Sequence, residues 1–145
     1  MVRRSGSHEI VQNDSLLPYV SIVLGERLPE QIRRRMAAIL SGSAFRTSHG
    51  FATESPQSSR YHSDGYWRGP IWAPSTMLIV DGLMRCGKND LARETVRQFA
   101  DMVNTSGFAE NFDALTGQGL RDRAYTWTAS VFLTLAAELE RNEPT

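Results

Sequence analysis

The 145-residue chain has the length of one domain and can bury a real core. Its 16 Lys and Arg balance 16 Asp and Glu, which removes the basic footprint expected of a nucleic-acid binder. A lone Cys86 excludes an internal disulfide framework and any CxxC metal pattern, and no apolar run approaches the ~18 residues of a membrane span.

The N-terminal residues 1–12 are charged but lack the apolar stretch of a signal peptide, so they are read as a ragged lead-in to a domain spanning 13–145. "SLLPYVSIVLG" predicts a short buried helix that ends at Gly25, with Ser15 as N-cap and Pro18 in the tolerant first turn. "PEQIRRRMAAIL" starts on Pro29 and spaces Ile32, Met36, Ile39 and Leu40 as one buried stripe. Its Arg33–Arg35 run reads as a solvated face. "PSTMLIVDGLMRCG" predicts a helix stopped by Gly87. "NDLARETVRQFADMVN" follows, capped by Asn89, with Ala92, Val96, Phe99, Ala100 and Val103 on one side. The short Gly87-Lys88 link makes these two helices an antiparallel pair. Last, "YTWTASVFLTLAAELE" aligns Val131, Phe132, Leu135, Ala136 and Leu139. No segment alternates cleanly as a strand, so the expected class is all-α with five helices.

Two connections, 41–70 and 105–123, exceed the ~12–15 residues of an ordinary structureless loop. They carry Phe45, Phe51, Tyr61, Tyr66, Trp67, Phe108 and Phe112, too many rings for a solvated linker. Ordered aromatic loops on a helical scaffold point to a binding cleft, or to hydrophobic plugs over helix ends. In "GYWRGPIW", Gly69-Pro70 stiffens a turn between Trp67 and Trp72. Indole faces suit the C–H face of a sugar ring, and Arg68 can fork onto neighbouring hydroxyls. Trp72 alone also fits a core residue at a helix start.

"GFAENFDALTGQG" places Glu110 between Phe108 and Phe112. A carboxylate among rings can act as a general base, although a surface glutamate is the plainer reading. Asp113 reads as a turn residue bonded to nearby backbone. His8, His49 and His62 have no metal-ligand spacing, and HExxH, a nucleophile elbow and phosphate-binding glycine loops are absent. No cofactor is expected. Neither nucleic acid nor membrane is expected as a partner, and the weak compartment signal favours the cytoplasm.

"GFATESPQSS", "YWRGPIW", "GFAENFDALTGQG" and "AYTWTAS", in that order, resemble the C-terminal part of glycoside hydrolase family 63 over residues 13 to 140. That family includes processing α-glucosidases and mannosylglycerate hydrolase-like enzymes and is related to trehalases. The resemblance implies part of an (α/α)6 barrel of six helical hairpins around a sugar site, and hydrolysis of α-glycosides with inversion. By position it makes Glu110 the general base, and Tyr66, Trp67, Arg68, Gly69, Trp72 and Trp127 the sugar-binding wall. The family's general acid is an Asp in a Gly-Trp-Asp-type motif, which is absent here. A closed barrel also needs twelve helices. The expectation is therefore a C-terminal segment of an α-glucosidase-like enzyme, nearly inactive alone. Its expected partners are an oligosaccharide or small glycoside, and either the remaining barrel or a second copy. The alternative is a carbohydrate-binding or helical interaction remnant without catalysis.

Overall fold

The computed structural model describes residues 2–3, 10–11 and 14–141, with side chains from 14 to 138. His8, most of the 1–12 lead-in and the side chain of Leu139 lie outside the described residues. Among the described residues five helices carry the fold: a 3-10 helix η1 (Leu17–Arg27), α1 (Glu30–Ser41), α2 (Ala73–Arg85), α3 (Asn89–Ser106) and α4 (Thr126–Arg141).

Local signals explain most of their limits. Gly25 sits at φ 53 and ψ −123, so helical geometry inside η1 breaks where the glycine stop was expected. Leu16, not Ser15, is the cap residue of η1. Ser15 still accepts the Leu17 N–H through Oγ at 3.3 Å. The end of α2 is a Schellman motif: Gly87 takes φ 71, its N–H donates to Met84 O, and the Lys88 N–H donates to Leu83 O. The glycine then turns the chain into α3, whose cap position is Lys88 rather than Asn89.

α2 is the hub, packing against η1, α3 and α4, while α1 leans on η1. The core gathers Ile22, Met36, Leu40, Ile79, Val80 and Leu83 with the α3 stripe Ala92, Val96, Phe99 and Val103, and Val131 and Leu135 from α4. Two expectations of burial fail. The expected buried helix η1 exposes Leu17 and Leu24, with Ile22 and Gly25 its buried residues. Ile32 is 48% exposed, because the buried face of α1 turns to Met36, Ala37 and Leu40. Only η1 covers that helix extensively, so its first turn reaches past the core.

The two long connections are ordered. The first contains a hairpin, β3 (Arg46–Thr47) with β4 (Gly50–Phe51), and the second contains β5 (Asn111–Phe112) with β6 (Gly119–Leu120). A further pairing, β1 (Val2–Arg3) with β2 (Ile10–Val11), lies near the N-terminus. These two-residue ladders carry no readable alternation, so the sequence hid them. The β3–β4 hairpin is tied to α3 by Arg46–Glu94 at 2.8 Å. An isolated bridge pairs Ile71 with Phe112 and stitches the two long connections together just ahead of α2.

Candidate active site

The tryptophan loop is built on a buried threonine. Thr53 Oγ1 donates to Pro70 O at 2.8 Å and accepts the Gly69 N–H at 3.1 Å, while the Thr53 N–H donates to Gly69 O. Between Tyr61 and Gly69 the chain closes on itself: the His62 N–H donates to Arg68 O, Gly65 to His62 O, and Arg68 to Gly65 O. Only glycine fits at position 69, because a Cβ there would overlap the His62 carbonyl oxygen.

This tight loop stacks the rings. Trp67 lies over Trp72 with centroids 4.4 Å apart and planes 12° from parallel. Tyr66 meets Trp72 edge-on at 4.7 Å, and its carbonyl accepts the Trp72 indole N–H at 2.9 Å. Trp127, from the first turn of α4, packs edge-on against Trp72 at 5.4 Å. Trp72 is 0% exposed at the start of α2. It backs Trp67 and Trp127, and its own faces are covered. Tyr66 is 46% exposed, Trp67 and Trp127 are half-buried, and Arg68 is exposed.

Glu110 reaches this cluster through its backbone. The Trp127 indole N–H donates to Glu110 O at 3.3 Å, and the Glu110 N–H donates to Asp122 O at 2.7 Å. Thr128, also at the start of α4, is fully buried and donates from Oγ1 to Ala109 O at 2.6 Å. The half-buried Glu110 thus sits on a backbone fixed from both sides. Asp113 serves the turn, its Oδ1 accepting the N–H groups of Leu115 at 2.8 Å and Thr116 at 3.2 Å.

Two buried polar groups beside this region lack partners among the described residues: the Tyr61 hydroxyl and the amide of Asn111, directly after Glu110. Burial pushes the Tyr61 phenol above its ordinary 10.0, and the nearby Asp113 charge adds to the shift. Among the described residues no cluster of three His, Cys, Asp or Glu could hold a metal ion. A cavity of about 830 Å³ opens between α2 and α4, with Asp122, Tyr125 and Trp127 on its wall. Glu110, Tyr66 and Trp67 do not line it, so it lies beside the ring stack rather than over it.

The geometry adds residues that were not singled out as site candidates. Thr53 and Thr128 brace the two loops, Tyr125 packs on Trp127 at 4.7 Å, and Arg121 links the loops directly. Thr53 lies inside "GFATESPQSS", and Tyr125 and Thr128 inside "AYTWTAS", so the motifs pointed to their neighbourhoods but not to their roles, while Arg121 lies outside every motif.

Residues 1–128 match the family model of the mannosylglycerate hydrolase MGH1-like glycoside hydrolase domain. The chain belongs to this family. Within the MGH1-like family it is 30% identical over 122 residues to the mannosylglycerate hydrolase of Rubrobacter radiotolerans, covering 81% of this chain and 28% of that protein. It is 29% identical over 111 residues to the glucosylglycerate hydrolase of Mycolicibacterium hassiacum, covering 73% of this chain and 25% of the other. The chain thus spans about a quarter of the length of these curated relatives. The family 63 mannosylglycerate hydrolase of Thermus thermophilus, solved with glucose, superposes with a TM-score of 0.77 at 24% identity. That superposition covers 88% of this chain and 33% of the Thermus chain. The helical fold is therefore part of a helical barrel of this MGH1-like type.

Proposed function

We propose that this chain supplies the general base and the sugar-stacking wall of an inverting glycosidase whose substrate is an α-glycoside of a small hydroxy acid such as glycerate. One observation carries the reading. Trp127 holds the Glu110 backbone through its indole N–H while its ring packs on Trp72, which stacks on Trp67. The carboxylate-bearing backbone and the aromatic wall are thereby one rigid unit, as a site that must hold water and sugar in fixed relation requires. An α-glucosidase was the narrower expectation. The relatives named above act on mannosylglycerate and glucosylglycerate, and this moves the proposed substrate to that class.

In the proposed reaction Glu110 takes a proton from a water as that water attacks the anomeric carbon. A second carboxylic acid, ~6.5–9.5 Å away across the sugar, protonates the departing oxygen. Trp67 and Tyr66 present the apolar surface on which the sugar lies, Arg68 is placed for its hydroxyls, and Trp72 acts by backing Trp67. The Gly-Trp-Asp motif expected to hold the acid is not in this sequence, so a complete cycle needs that acid from further barrel structure.

The test is a chimera in which this chain replaces the matching segment of the Rubrobacter protein, assayed for release of mannose from mannosylglycerate. Glu110→Gln is expected to lower turnover by roughly 10²–10⁴ while sugar binding persists. Turnover retained in that variant removes Glu110 from the role. Sugar binding by a chimera that never hydrolyses, with Glu110 intact, favours the non-catalytic binding alternative.

A further inference from the structure

We propose that Arg121 is a positioning residue, a latch that sets the separation between the Glu110 loop and the aromatic wall. This rests on the glycoside-binding reading of the same site, and it adds a residue that none of the motifs marks.

Tyr66 and Arg121 are the two non-glycine residues at positive φ among the described residues, at 60° and 62°. Such left-handed backbone is costly for side chains of this size and persists only where surroundings hold it. Here the two strained residues hold each other. The Arg121 guanidinium carbon lies 5.5 Å from the Tyr66 ring centroid, a cation–π approach. Arg121 Nη2 also pairs with Asp64 Oδ1 at 2.7 Å and donates to Asp64 O at 3.4 Å. One guanidinium thus grips the tryptophan loop at a carboxylate, a carbonyl and a ring.

The backbone of Arg121 faces the other way. Leu120 before it pairs with Asn111, and the Asp122 carbonyl after it accepts the Glu110 N–H. Arg121 therefore lies directly opposite the Glu110–Asn111 step, and its side chain crosses to Tyr66. Tyr66 in turn touches both Trp72 and Trp67, at 4.7 and 6.0 Å. The two halves of the site are joined here by one side chain whose planar fork a lysine cannot reproduce. The Arg121 side chain is 32% exposed and that of Asp64 51%, so the pair sits at the rim and feels salt.

The experiment compares wild type with Arg121→Gln, Arg121→Lys and Asp64→Asn in the full chain. The first readout is the near-ultraviolet circular dichroism of the stacked Trp67–Trp72 pair without ligand. The second is tryptophan-fluorescence titration with D-glucose and D-mannose. Arg121→Gln is expected to change the near-ultraviolet signal with far-ultraviolet helicity intact, and to weaken sugar binding roughly threefold to tenfold. Arg121→Lys is expected to fall between, because it keeps the charge and loses the fork. Asp64→Asn approaches the latch from an exposed loop and covers the case in which Arg121→Gln fails to fold. A near-ultraviolet signal unchanged in the Arg121 and Asp64 variants overturns the latch. An altered signal with unchanged sugar affinity overturns its positioning role. If wild type binds neither sugar, alone or within the Rubrobacter chimera, while the variants still alter the ring signal, the latch stands and the glycoside reading falls.

Discussion

Tyr61 shows how one atom can decide a response to pH. Its hydroxyl is buried with no hydrogen-bond partner, which costs about 1–3 kcal/mol relative to a paired or hydrated group. Tyr61→Phe deletes that atom and keeps the ring, so it is expected to be neutral or to stabilise the fold by about 1 kcal/mol, read from the urea midpoint. The phenol is raised above 10.0 by burial first and by Asp113 second. Above the unfolded value the native state then holds more protons than the unfolded chain. The tyrosine's contribution is fully present below about pH 10 and is lost as pH climbs through the folded value. Urea midpoints at about pH 9 and about pH 11 are expected to separate more in wild type than in Tyr61→Phe. Equal separations would show that other groups set the alkaline limit. Asn111 has a similar burden next to Glu110, with both amide atoms buried and unpaired. A buried amide without partners beside a candidate catalytic carboxylate fits the general tolerance of strain at functional positions.

Among the elements, α2 carries the most consequence, because the ring stack begins at its first turn and its body joins η1, α3 and α4. Gly82 is the contact point. A Cβ at that position would run into Ile22 Cγ2 and lie 2.8 Å from the backbone of Ile22 and Val23. Alanine is a better helix former than glycine by about 1 kcal/mol. Overpacking against backbone that cannot yield costs about 1–3 kcal/mol. The clash is with backbone, so the second effect wins, and Gly82→Ala is expected to destabilise by up to about 2 kcal/mol, measured by urea unfolding. A gain in stability would mean that η1 slides easily on α2. By contrast, Gly87 ends α2 with open space around it, and its role is confined to its left-handed backbone at φ 71.

At the scale of the molecule, the open groove between α2 and α4 stands out. Cavities of about 830 and about 220 Å³ meet at Met77 and Thr134, and Val131, Leu135 and Met84 contribute apolar walls. Leu133 on α4 is 67% exposed, and Leu17 and Leu24 on η1 are 43% and 46% exposed. Apolar surface left open on several helices favours association. The apparent mass in light scattering is expected to rise with concentration, and Leu133→Lys is expected to move the curve toward the monomer. A constant monomer mass across the range would argue that these faces are adequately solvated.

Local chemistry in the sequence determined the five helices, because apolar spacing, Pro29, Gly25 and Gly87 act within a few residues of where they stand. The ordered aromatic motifs likewise marked the family and the residues around the ring stack. The tertiary structure decided what those residues face. Trp72 became a covered plate, Ile32 was left outside the core, and the short ladders formed between segments with no alternation of their own. Arg121 found Asp64 across 57 positions of chain. Such pairings depend on which loops the packed helices bring together, and a strained backbone angle held by a distant ring leaves no periodic trace in the order of amino acids.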